Sequence, residues 1–300
     1  MSLPVGELAA LGTSLAWSWT YVLFSRAVQR IGPQALNRLR LAVAFLVLVV
    51  LHWVVHGNPV PIGVEPQRLG WLVLAGVVGF VLADALLYRA LFRLGPQRTS
   101  LVMAVVPVAS ALLAWVVFGE VPSAVEAVAG LAVVGGVSLV LWPRKKGEVD
   151  ATSARLRAEG VLFAFAAACC QAGRYLLSKA GMEGGFPVLS TNVLQIGAAT
   201  LAIWGLTVVT GKVRPTLAAL RDVPGRRAMA GGAVLGPVTG VTLSLVALSS
   251  APVGVASTLM ALSPVVLLVV SRVAFKEKVR PRAVTGTLLA VAGVAALFLV

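Results

Sequence analysis

Long apolar runs constrain this chain more than any other feature. Leu41 to Leu51 and Leu101 to Phe118 belong to a series of blocks too long for the core helices of a soluble domain. Short breakers such as HGNPVP, RLGPQR, GGFP and SSAPVG stand between the blocks. A bilayer core roughly 30 Å thick takes a helix of about 20 apolar residues. Each crossing must be helical, because a lone strand in lipid leaves its backbone groups without partners. The blocks predict ten spans, near 5–26, 35–55, 69–90, 99–118, 123–142, 160–180, 188–210, 228–248, 254–273 and 282–300. Composition agrees: 12% of residues are charged, against about 25% in soluble domains. The expected fold class is an all-α integral membrane protein.

Several functions are excluded at this stage. The net charge of +14 does not point to nucleic acid, because the basic residues sit in short gaps between apolar blocks rather than on a solvated face. Cys169 and Cys170 are adjacent in an apolar run, and His52 and His56 share one segment end. Neither pair has metal-ligand spacing or a partner for nucleophilic catalysis. No metal, no cofactor and no enzyme activity is expected. The opening MSLPVGELAALG lacks a basic stretch and a cleavage site, so it does not resemble a signal peptide.

The chain repeats itself. Moving the first half forward by 157 positions lays Ala90-Leu91 on Ala247-Leu248, Met103-Ala104 on Met260-Ala261, Pro107-Val108 on Pro264-Val265, Phe118 on Phe275 and Glu120 on Glu277. Earlier matches drift by a few residues: Glu7 falls on Glu159, Asn37 on Asn192, and Arg40 on Gln195. Residues 1–142 form one five-helix repeat, 143–158 a polar linker, and 159–300 the second repeat. Of the 25 Lys and Arg residues, all but Arg68, Lys179 and Arg174 fall in the connections after spans one, three, five, seven and nine. Positive charge stays in the cytoplasm, which places both termini outside. Five is odd, so the second repeat must cross upside down. The corner VVFGEVPS is bare of charge, while its twin VAFKEKVR is basic. Inverted repeats meeting near the midplane are the architecture of alternating-access transporters.

The segments LAWSWTYVLFSRAVQRIGPQALNRLRLAVA, ADALLYRALFRLGPQRTSLVMAVVPVASALLAWVVFGE and APVGVASTLMALSPVVLLVVSRVAFKEKV resemble the drug/metabolite transporter superfamily, in its ten-helix EamA-like branch. The resemblance covers essentially the whole chain. It implies secondary transport in the cytoplasmic membrane, often export of amino acids or related metabolites. Family members often carry Arg early in the second helix of a repeat; Arg40 fits, and Gln195 departs from the pattern.

Candidate site residues follow from polarity at depth. Asp84, inside span three, is costly in lipid and should face the bundle interior. It could couple protons, bind an ammonium group, or pair structurally, with Arg174 as one partner. Arg174, inside span six, could hold a substrate carboxylate or reach back to the interface. Trp17, Tyr21, Tyr88, Gln171, Ser100, Ser257 and Thr258 are the neutral candidates for a cavity wall. Pro107 and Pro264 are candidate gating kinks. Gly232, Gly236 and Gly240 form a close-packing face. The expected partners are a small-molecule substrate, the lipid bilayer, and protons as a coupling ion. Carriage of drug-like cations or choline-like amines is the alternative, with Asp84 as the cation's partner. A membrane enzyme or scramblase is the distant one.

Overall fold

The computed structural model describes residues 5–118, 128, 131–137, 151–250, 259–260, 262–274 and 281–298, and every regular element among them is helical. The first half contains α1 (Val5–Ile31), α2 (Pro33–His56), α3 (Pro66–Gly76), a π segment (Val77–Ala83), α4 (Asp84–Leu94), α5 (Pro96–Met103) and α6 (Val106–Phe118). The second contains α7 (Ala151–Met182), α8 (Val188–Val209), α9 (Val223–Ala233), a second π segment (Val234–Gly240), α10 (Val241–Ser250), α11 (Ser263–Ala274) and α12 (Pro281–Phe298). Among the described residues, five stretches are long and apolar enough to cross a membrane: Pro33–His56, Pro66–Leu94, Arg155–Met182, Val188–Val209 and Val223–Ala247. Helix α1 is long enough, but Trp, Ser and Thr dilute its apolar content. Its Thr13, Ser14, Ser18 and Thr20 are buried, turned away from lipid. The corners at Glu120 and Glu277, and the sites Ser257 and Thr258, lie outside the described residues.

Local chemistry sets the boundaries. Gly32 and Gly95 have φ of 78° and 77°, a left-handed conformation that costs glycine little. Each is followed by Pro at the first helical position of α2 or α5, where a missing N–H breaks no bond. The same Gly-Pro-Gln corner thus stops one helix and starts the next.

Two expectations need correction. Span four is not one continuous helix. The amides of Ala104 and Val105 bond to Leu101 and Val102, at 3.1 and 3.0 Å. This tight turn ends α5, and Pro107 then stands second in α6. Pro264 likewise stands second in α11, after a turn in which the Leu262 amide bonds to Leu259 at 3.2 Å. Both prolines open a helical segment, where no backbone donor is required, rather than kink one midway. Spans three and eight, by contrast, each carry a π segment. The two occupy positions 77–83 and 234–240, related by the same 157-residue shift as the sequence repeat.

Packing follows the duplication. Helix α1 lies against α9, the second π segment, α10 and α11, while α7 lies against α3, the first π segment, α4 and the helices of span four. Helices α2 and α8 pack face to face and run antiparallel. Phe45 covers Gly197, Thr200 donates to the Leu41 carbonyl at 3.3 Å, and the Trp204 indole donates to the Arg38 carbonyl at 3.1 Å. The glycine face of span eight meets α1: a Cβ at Gly232 would stand 2.4 Å from the Phe24 ring, and one at Gly236 2.8 Å from Thr20. This is the expected close approach of two backbones.

Candidate functional site

A chain of buried polar side chains runs across the seam between the halves. Its first link is on α2. Arg40 lies seven residues past Pro33, about 10 Å along the helix at 1.5 Å per residue, and only 1% of it is exposed. The charge count assigned Arg40 to a cytoplasmic loop; the helix instead carries it into the bundle. Its guanidinium bonds directly to the Asp84 carboxylate. Two further bonds go to Asn37 Oδ1, from Nε at 3.2 Å and Nη2 at 2.8 Å, and one to the Phe80 carbonyl at 3.3 Å. The Tyr88 ring lies 5.1 Å from it.

The first π segment makes this contact possible. A π turn holds an extra residue and leaves backbone carbonyls poorly matched to amides below them. Arg40 takes up the Phe80 carbonyl, and Asn37 approaches that of Val81 at 3.5 Å. Asp84 begins α4 directly after the π segment and faces Arg40. The second π segment is handled similarly: Asn192, the repeat partner of Asn37, donates to the Pro237 carbonyl at 3.0 Å and to Thr242 at 3.0 Å.

Arg174 is the second link, supplied by α7 from the other repeat. It too is 1% exposed, so it does not reach back to the interface. It donates to Gln195 Oε1 at 3.2 Å and, with the Gln171 amide oriented to suit both groups, to the Gln171 oxygen at 3.0 and 2.8 Å. Gln195 passes the network on, donating to Ser178 at 2.9 Å. The Phe80 ring lies 4.9 Å from the Arg174 guanidinium and the Tyr175 ring 5.0 Å from it. Arg40 is 5.9 Å from the Phe80 ring, so one aromatic ring serves both cations. Each such contact contributes about 0.5–2 kcal/mol. Glycines make room: a Cβ on Gly79 would fall 1.9 Å from Arg174 Cδ, and one on Gly76 2.3 Å from the Gln195 carbonyl.

The two arginines therefore differ. Arg40 has its anion. Among the described residues Arg174 forms no salt bridge; its hydrogen-bond partners are neutral, and Asp84, bonded to Arg40, acts on it only through space. The bland pairing expected for Asp84 is real, but its partner is Arg40 rather than Arg174. An Arg early in one span and an acid ten residues before the end of the next stand at similar depth, and that counting could have paired them. Asn37, Phe80 and Gly79 left no comparable signal.

The aromatic candidates gather beside this network. Tyr21 and Tyr88 are buried in one cluster with Phe24, Ala167, Met229 and Leu267, drawn from both halves. Trp17 packs on Tyr21 with ring centroids 6.4 Å apart, while Trp19 faces outward. Ser100 is not brought to Arg174; its hydroxyl is spent on the Gln97 carbonyl at 3.0 Å. Near Pro264, Ser18 of α1 donates to the Ser263 carbonyl at 3.0 Å, tying the halves together where span nine is interrupted.

Comparison with known proteins comes to the same halves. The profile of the EamA-like transporter family matches residues 4–142 and again residues 158–299. A solved crystal structure with 19% sequence identity superposes with a TM-score of 0.68, over 98% of this chain and 96% of its own; at that identity the likeness concerns the fold. No curated protein matches the chain in sequence.

Proposed function

The chain belongs to the EamA-like transporter family and is a multi-pass membrane protein of the drug/metabolite transporter type, and on that footing we propose that it is an alternating-access secondary transporter of the cytoplasmic membrane that exports amino acids or related small metabolites bearing a carboxylate. One observation carries the substrate class: Arg174 is a fully buried cation whose hydrogen-bond partners are all neutral. A buried charge with no carboxylate bonded to it is costly, since Asp84 reaches Arg174 only through space and is already bonded to Arg40; a substrate carboxylate would lower that cost with a bidentate contact. Gln195 and Gln171 hold the guanidinium in place until then, and neutral amides yield more readily than a carboxylate would.

Asp84 is the lesser candidate for substrate contact, because Arg40 already neutralises it. An amine substrate would have to displace a guanidinium held by four bonds. This weighs against choline-like amines and leaves Asp84 a role as a lock, or as a proton-coupling group released only when Arg40 moves. The antiparallel α2–α8 pair and the two equivalent π segments support inverted repeats 1–142 and 159–300, although the linker 143–158 is already helical from Ala151; the Lys and Arg bias of the connections is what supports placing both termini outside. The burial of Arg40 and Arg174 fits a closed stage of the cycle, with the turns before Pro107 and Pro264 as the gating elements.

A proteoliposome uptake screen of labelled amino acids and amines, with and without a pH gradient, tests this. Saturable uptake of an amino acid supports the proposal. Uptake of amines alone, abolished by Asp84→Asn, refutes it.

A further inference from the structure

A groove at the basic end of the bundle, apart from the buried network, has the makings of a lipid site. It holds about 500 Å³ and is lined by Pro33, Arg89, Phe92, Arg93, Leu156 and Phe163. Pro33 opens one membrane-crossing stretch, Leu94 closes another and Arg155 opens a third. The groove therefore lies where these three stretches leave the hydrocarbon, at headgroup level.

Its chemistry is divided. The guanidinium groups of Arg89 and Arg93 lie over the Phe163 ring at 5.7 and 4.8 Å, so the ring braces both. Glu159 accepts from Arg93 at 3.0 Å and from Arg155 at 3.2 Å. Arg89 is exposed and forms no ion pair among the described residues. Three cations thus face one carboxylate. Phe92 and Leu156 are each 46% exposed on the same groove, offering apolar surface to an alkyl chain.

We propose that this groove binds an anionic phospholipid, its phosphate held by Arg89 and Arg93 and its acyl chain lying on Phe92 and Leu156. A soluble anion would use the cations and waste the apolar wall; a zwitterionic lipid would use the wall and leave the excess charge unanswered. Basic pockets between spans are general sites for anionic headgroups. The site is independent of the substrate carried at Arg174.

The test titrates the purified protein in detergent with phosphatidylglycerol or phosphatidylcholine and counts adducts by native mass spectrometry. Wild type should favour phosphatidylglycerol at least tenfold. With each arginine contributing about a fivefold attraction, Arg89→Gln should weaken that preference about fivefold and Arg89→Gln/Arg93→Gln should abolish it. Lys179→Gln, at the far end of α7, should leave it unchanged. Melting without lipid reports folding, and the exposed Arg89 keeps the single variant decisive if loss of the Arg93–Glu159 pair unsettles the double one. Equal adducts for the two lipids in wild type, an undiminished preference in Arg89→Gln, or displacement by equimolar inorganic phosphate would overturn the proposal.

Discussion

Removing one partner of the Arg40–Asp84 pair should cost far more than removing both. Asp84→Leu leaves a guanidinium buried to 1% exposure with only Asn37, the Phe80 carbonyl and ring faces for company. Breaking a buried pair from one side costs about 3–5 kcal/mol. The surviving bonds to Asn37 hold this case near the lower end, at about 3 kcal/mol. Arg40→Met strands the carboxylate instead and also frees the Phe80 carbonyl, so it should cost about 4 kcal/mol on the same scale. The double variant Arg40→Met/Asp84→Leu leaves no charge behind and should lie within about 1–2 kcal/mol of wild type, the residue being lost backbone bonding. For a chain this long, each kcal/mol moves the melting temperature by roughly 2 °C. Thermal melting of the four proteins in one detergent should therefore give drops of about 6, 8 and 3 °C, at about 2 °C per kcal/mol. Drops that add, with the double variant worst of all, would refute the claim that the pair is a self-contained lock.

Three other outcomes follow from the geometry. Gly79→Ala puts a methyl group 1.9 Å from Arg174 Cδ; displacing that side chain should cost about 1–3 kcal/mol and depress transport, read by melting and uptake together, whereas Gly70→Ala, with open space around it, should be silent in both. Gly232→Ala drives into the buried Phe24 ring at 2.4 Å and should lower the melting temperature by a similar amount, separating α1 from α9. Asp222→Ala removes the cap that accepts from Gly225 at 2.6 Å and should cost about 1 kcal/mol, nearly all of it from the cap, since its exposed pair with Arg30 contributes little.

Much of the architecture was legible in the sequence because membrane crossing depends on block length, and block length survives uncertainty about individual residues. A close-packing face on span eight could be read from Gly232, Gly236 and Gly240, but not that α1 would be the helix packed on it. The π segments are absent from the sequence reading: Val77–Ala83 carries no breaker beyond Gly79, while Pro237 inside Val234–Gly240 is an unused signal of an interrupted helix. Arg40 was misplaced as well. Span two is drawn from residue 35, yet the charge count puts Arg40 with the preceding loop; the Gly32-Pro33 corner sets it about two turns into α2. Arg174 and Asp84 were found by their cost in lipid, but cost alone does not name a partner. The Arg40–Asp84 pair spans 44 positions, and its acid stands directly after the π segment, a feature with no signal in that stretch of sequence.

The claim that Arg174 is the seat of the substrate's carboxylate is tested most directly by competition. An amino acid and its uncharged carboxamide analogue compete for uptake of a labelled amino acid into proteoliposomes bearing wild type or Arg174→Gln. The account predicts that wild type takes up the label and favours the carboxylate by tenfold or more, and that Arg174→Gln, still folded by melting, loses that discrimination. Equal inhibition by the two compounds in wild type, or a preference unchanged in Arg174→Gln, would contradict it.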